Sequence, residues 1–180
     1  ERLLVAVADV AGKSIPAALL MATFQASLRT LSVTQSSLAE LVASMNQYAC
    51  TNSQGGLRFT TAFLSELDPS TGTLTYINAG HNAPMLCRKS GGLERLESGG
   101  LPIGIKADAQ YETGSVVLAP GDWLVIFTDG VIEALNVASE EFGETRLLAN
   151  IAQATNGSPA QMMTRIMTDL DRFVGNTPQH

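Results

Sequence analysis

Two aspartates carry the residue types and surroundings for chemistry. Asp9 ends the apolar run in LLVAVADVAGKS, and Asp129 ends the one in WLVIFTDGVIEA. Burying an unpaired carboxylate is costly, so each must be solvated, ion-paired or bound to a cation. Lys13 is the only basic residue close in sequence to either acid. A hard cation held by oxygen atoms is therefore the leading explanation. If the two strands are neighbours in one sheet, their carboxylates converge and repel, and magnesium, manganese or calcium relieves the conflict better than zinc. Gly12 and Gly130, beside the acids, let the backbone turn closely there. The alternative is a pair of solvated turn aspartates that cap local N–H groups.

The elements that must position these acids follow from patterning. Residues 2–8 form a β-rich buried strand, and Gly12 and Pro16 punctuate a switch to a helix over 15–31. Ala17 to Leu28 make that helix apolar almost all round, which predicts cover on both faces. Ser36 or Ser37 caps a second helix bearing Leu38, Leu41, Val42 and Met45 on one side. Strands over 59–67 and 73–79 flank the turn Asp68-Pro69-Ser70-Thr71-Gly72, and shorter strands are expected over 85–88, 93–96, 110–118 and 123–128. Connectors this short make neighbours antiparallel. Helices return over 144–155 and along the stripe of Met162, Met163, Ile166, Met167, Leu170, Phe173 and Val174, which reads as a core face. The expected fold class is α+β: a layered sandwich with helices gathered around an antiparallel middle.

Composition narrows the function. With 180 residues, 45% hydrophobic and 16% charged, the chain suits a single domain. A net charge of −6 without a basic stripe argues against binding nucleic acid or an anionic membrane. No apolar run reaches the roughly 18 residues a bilayer span needs. Cys50 and Cys87 are too far apart for a local metal or redox motif and read as small core residues, with the cytoplasm as the expected compartment. The chain opens at Glu1 in a strand pattern without Met, so it reads as a piece of a longer polypeptide.

Several segments, in order, resemble the bacterial branch of the metal-dependent (PPM-type) serine/threonine protein phosphatases, typified by stage II sporulation protein E. They are ADVAGKSIPAALLMA (8–22), RFTTAFLSELDPSTGTLTYINAGHNAPML (58–86), GLPIGI (100–105), GDWLVIFTDGVIEALN (121–136) and EEFGETRLL (140–148). Coverage is essentially the full length. The resemblance implies a four-layer sandwich, two packed antiparallel sheets flanked by helices, with two manganese or magnesium ions at one edge. It matches Asp9 to an aspartate that bridges both ions, Val10 to a backbone-carbonyl ligand, and Asp129 to an aspartate on one ion. A metal-bound hydroxide would attack the phosphoserine or phosphothreonine phosphorus in line. His81, in NAGHN, stands where relatives outside this branch place a third-metal aspartate, so that role does not transfer, and a turn-stabilising role is expected. Lys13 reads as a solvated loop lysine or a phosphate contact, and Thr60 and Thr61 as interior strand residues.

The implied substrate is a phosphorylated anti-sigma-factor antagonist or similar signalling protein, with a sensor or receiver domain fused to the phosphatase. Helices over 15–50 are the expected route for regulation or homodimer contacts. The family also carries an acidic ligand in a glycine-aspartate motif before the first strand, and an aspartate in an Asp-Asp-x-Thr segment opening the last strand. Neither lies within residues 1–180 at its place in that order, so weak metal binding and turnover are expected of the 180-residue piece. The rival from another class is a phosphatase-shaped module that holds a regulatory partner without turnover. A nucleotide-binding P-loop at Gly12-Lys13-Ser14 fails because Val7 stands where a glycine is needed. A haloacid-dehalogenase-like reading of Asp129 fails because Val131 replaces its second carboxylate.

Overall fold

A computed structural model of the chain describes residues 2–52, 58–154 and 157–178. The chain divides into two compact units, Glu1–Ile126 and Phe127–His180. The first holds strands β1 (Leu3–Val10), β2 (Thr60–Asp68), β3 (Thr73–Ala79), β4 (Met85–Cys87), β5 (Leu93–Arg95), β6 (Gly99–Gly100), β7 (Gly114–Val117) and β8 (Trp123–Val125), with helices α1 (Ser14–Leu31) and α2 (Leu38–Asn52). The second holds α3 (Asp129–Ile132), α4 (Gly143–Ala154) and α5 (Pro159–Val174). The architecture is α+β, as the patterning predicts, with two largely antiparallel sheets, as the resemblance implies.

One sheet runs β1-β2-β3, with β6 and β7 both paired to β3, and the other runs β5-β4-β8. Alternation along β2 and β3 sorts residues onto two faces. Ala62, Leu64 and Ile77 pack with Phe24 of α1 and Leu38, Leu41, Val42 and Met45 of α2. Phe63, Leu74 and Tyr76 pack with Leu86, Leu96, Leu124 and Ile126, which joins the two sheets face to face. Helices, first sheet and second sheet are thus three successive layers of the first unit. Cys50 is half-buried and Cys87 buried.

Some elements depart from expectation for identifiable reasons. β6 pairs parallel with β3, an interaction that two glycines without alternation do not announce. β8 ends at Val125 because its partner β4 offers only Met85, Leu86 and Cys87 as pairing residues. Likewise, β7 begins at Gly114 because its pairing with β3 starts there, leaving 110–113 outside it. α1 corrects the prediction of cover on both faces. Phe24 is its one buried residue, whereas Ile15 and Leu19 are 75% and 64% exposed. A helix lying on one sheet face buries one stripe, whatever the composition of the other side.

In the second unit, α5 starts with a capping box in which the Ser158 hydroxyl accepts from the Gln161 N–H and the Gln161 side chain accepts from the Ser158 N–H. Met162, Ile166 and Leu170 are its buried stripe. Met163 and Met167, expected in the same core face, are exposed instead because they sit one position around the helix. The short α3 was not foreseen, and Thr155, the expected last residue of α4, lies outside the described residues.

Candidate metal centre

Asp9 is the last residue but one of β1, directly opposite Thr61 of β2. Residues 4, 6 and 8 of β1 face the helices, so Asp9, offset by one, shares the opposite face with Thr61 and Phe63. That face looks toward the second sheet. Asp9 is half-buried there, and its carboxylate is in no ion pair among the described residues. A half-buried carboxylate without a cationic side chain suits a hard metal ion.

Hydrogen bonding shows where the neighbouring carbonyl points. Ala11 N–H donates to the Phe59 carbonyl at 2.9 Å, so 11 opposite 59 is a bonded pair and, by alternation, so is 9 opposite 61. Thr60 and Ile103 instead exchange N–H···O bonds with each other at 2.8 Å in both directions. Val10, opposite Thr60, therefore turns its carbonyl away from β2. Among the described residues β1 pairs only with β2, so that carbonyl lies along the open edge of the sheet. An aspartate and an outward carbonyl at one strand end are oxygen donors of the kind magnesium and manganese take.

The loop that follows turns sharply. Gly12 has φ +109°, open to glycine, and an added Cβ there meets nothing within 4 Å. Ser14, the first residue of α1, has φ +70°, which for a residue with a Cβ costs about 1–2 kcal/mol. Lys13 between them is an exposed, extended N-cap without a side-chain cap hydrogen bond.

Asp129 belongs to the second unit, as the exposed first residue of α3, with extended Thr128 as N-cap. Its carbonyl accepts from the Glu133 N–H at 2.8 Å. Gly130 is helical, and an added Cβ would meet only the Thr128 hydroxyl at 3.6 Å, an ordinary contact. Its lack of a side chain is thus not demanded by the backbone, unlike that of Gly12. No group of three or more His, Cys, Asp or Glu side chains placed to hold a metal occurs among the described residues.

His81 is 7% exposed, with Nδ1 3.1 Å from the Thr61 hydroxyl. Its N–H donates to Asn78 Oδ1 at 2.7 Å, and its carbonyl accepts from Asn78 Nδ2 at 3.0 Å. The Asn78 side chain thus braces this loop through the His81 backbone. Sequence reading gave Thr61 and Asn78 no part in the site. The only signal was polarity in otherwise apolar strands.

Comparison with known proteins agrees with this fold. The profile of the family described as stage II sporulation protein E (SpoIIE) matches residues 1–180. Phosphoserine phosphatase RsbU of Bacillus subtilis is 32% identical over 134 residues, which cover 74% of this chain and 40% of that protein. The chain therefore spans less than half the length of this curated relative. The SiaA-PP2C domain of Pseudomonas aeruginosa superposes with a TM-score of 0.85 at 20% identity, covering 98% of this chain and 71% of that one. RsbX in complex with magnesium gives a TM-score of 0.67 at 20% identity, covering 97% and 75%.

Proposed function

Since the chain belongs to the stage II sporulation protein E family, we propose that it hydrolyses phosphoserine or phosphothreonine on a signalling protein, using manganese or magnesium. One observation carries this reading: a half-buried Asp9 carboxylate, in no ion pair among the described residues, stands beside an outward-facing Val10 carbonyl. RsbU is a named phosphoserine phosphatase, and the RsbX structure contains magnesium. Both support the same chemistry here.

In this proposal Asp9 with the Val10 carbonyl, at the end of β1, and Asp129, at the start of α3, would serve as oxygen ligands to the cations. The bound ions supply Lewis acidity, a water that is nucleophilic at neutral pH, and positive charge against the phosphoryl oxygens. Asp9 would present its carboxylate to that charge from the end of β1. The turn through Gly12 leads the chain into α1 without a side chain beside the strand end, and Lys13 at the loop is available to an anionic substrate. The substrate we propose is a phosphorylated anti-sigma-factor antagonist, with the protein acting in the cytoplasm and a sensor or receiver domain in the same polypeptide. No helix among the described residues is long and apolar enough to cross a membrane.

A second reading, a partner-binding module without turnover, draws on the lack of a three-ligand cluster among the described residues. Manganese-dependent phosphate release from a phosphoserine protein separates the two. We expect release that chelation with EDTA abolishes and that Asp129→Asn lowers at least tenfold. Equal rates with and without Asp129 would remove that residue from the mechanism, and no release with any divalent ion would favour the module.

A further inference from the structure

Asp9, Thr61 and His81 form a row across one end of the first sheet. Asp9 is opposite Thr61, and Ala62, next along β2, bridges Gly80, the residue before His81. The Thr61 hydroxyl lies between its two neighbours. It is 3.1 Å from His81 Nδ1 and 3.4 Å from the Asp9 carbonyl oxygen. When the hydroxyl donates to Asp9, the imidazole donates to Thr61 through Nδ1–H, so one arrangement of protons satisfies both contacts. The imidazole is anchored in turn: both backbone polar groups of His81 bond the Asn78 side chain, which also reaches the Leu96 carbonyl at 3.4 Å.

A threonine whose only task was to fill an interior strand would need no imidazole. Here the Thr61 hydroxyl is locked on the face that Asp9 uses, one strand away from it. We propose that Thr61 and His81 are positioning residues that hold the end of β1, so that the Asp9 carboxylate and Val10 carbonyl meet a cation without rearranging. This inference rests on the metal-dependent reading above. The pair touches neither metal nor substrate and acts through Asp9. Partners that orient metal ligands typically change metal affinity 10- to 100-fold when removed, because the ligand must then be ordered at the moment of binding.

The test is the manganese concentration giving half-maximal phosphate release, measured on the full chain well below the thermal midpoint of each variant. Thr61→Val keeps the shape of the side chain and should raise that concentration about tenfold, with the rate at saturating manganese nearly kept. Thr61→Ser restores the hydroxyl and should restore the wild-type value. His81→Leu should resemble Thr61→Val, whereas His81→Asn, with an amide near the Nδ1 position, should recover most of the loss. A purely structural role would lower the thermal midpoint and leave the manganese dependence alone, and that result overturns the inference. Asp9→Asn is the control. If it leaves the manganese dependence unchanged, the metal reading fails and takes this inference with it. If Asp9→Asn shifts it while Thr61→Val and His81→Leu do not, the positioning role alone is lost.

Discussion

Gly99 shows how far a residue without a side chain can matter to a site it never enters. A Cβ there would lie 1.8 Å from the Asn78 carbonyl oxygen and 2.4 Å from its carbon, both backbone atoms that cannot swing away. Pairing β6 to β3 thus requires glycine, and Asn78 is the residue that braces His81. Gly99→Ala should cost about 1–3 kcal/mol through overpacking, read from the urea midpoint. An unchanged midpoint would contradict the contact. Asp9 and Gly12 stood out in the sequence because an acid and a tight turn interrupt apolar runs, whereas Val10 and His81 entered through the family resemblance. Thr61 did not, since its tie to Asp9 spans 52 residues and exists only through strand register. Thr60 and Thr61 are adjacent and chemically identical, and only the pairing shows which of them faces the acid.

Between elements, Arg88 and Asp122 form a clamp that the patterning did not disclose. Asp122, 4% exposed at its side chain, accepts from the Lys89 N–H at 3.0 Å, the Ala119 N–H at 3.0 Å and Arg88 Nη1 at 2.9 Å. Arg88 also bonds Glu94 and the Val117 carbonyl, so β4, β5, β7 and the turn before β8 are fastened together. The two backbone N–H groups and then the guanidinium hold the Asp122 carboxyl below the usual carboxylate range. A lowered native pKa stabilises the fold above the unfolded value, roughly 4, and that contribution is lost as pH falls through the native one. Asp122→Asn should therefore cost about 1–2 kcal/mol at pH 7 and progressively less as the pH falls below the unfolded value, seen as urea midpoints that converge with wild type on acidification. A constant gap across that range would refute the assignment. The elements themselves were readable where apolar periodicity was long, as in α2, β2, β3 and α5. They were misjudged where a partner decides the outcome: β8 is cut short by a three-residue neighbour, and α1 is covered on one side despite apolar residues all round.

For the molecule, the contact between the sheets carries the packing of the first unit. Phe63 is fully buried there and stacks on Tyr76 with ring centroids 5.7 Å apart. Phe63→Ala should destabilise by about 3–5 kcal/mol, and a loss below about 1 kcal/mol would mean the sheets do not depend on this core. The α+β class was legible because short turns such as Asp68–Gly72 permit only antiparallel neighbours. The proposed joint role of Asp9 and Asp129 was not, since they are 120 residues apart in sequence and sit in different compact units. That both are metal ligands is read by a manganese titration followed by the spectroscopic signal of the free ion. Asp9→Asn and Asp129→Asn should each weaken binding at least tenfold without lowering the thermal midpoint. Two variants that bind manganese as the parent does would contradict it.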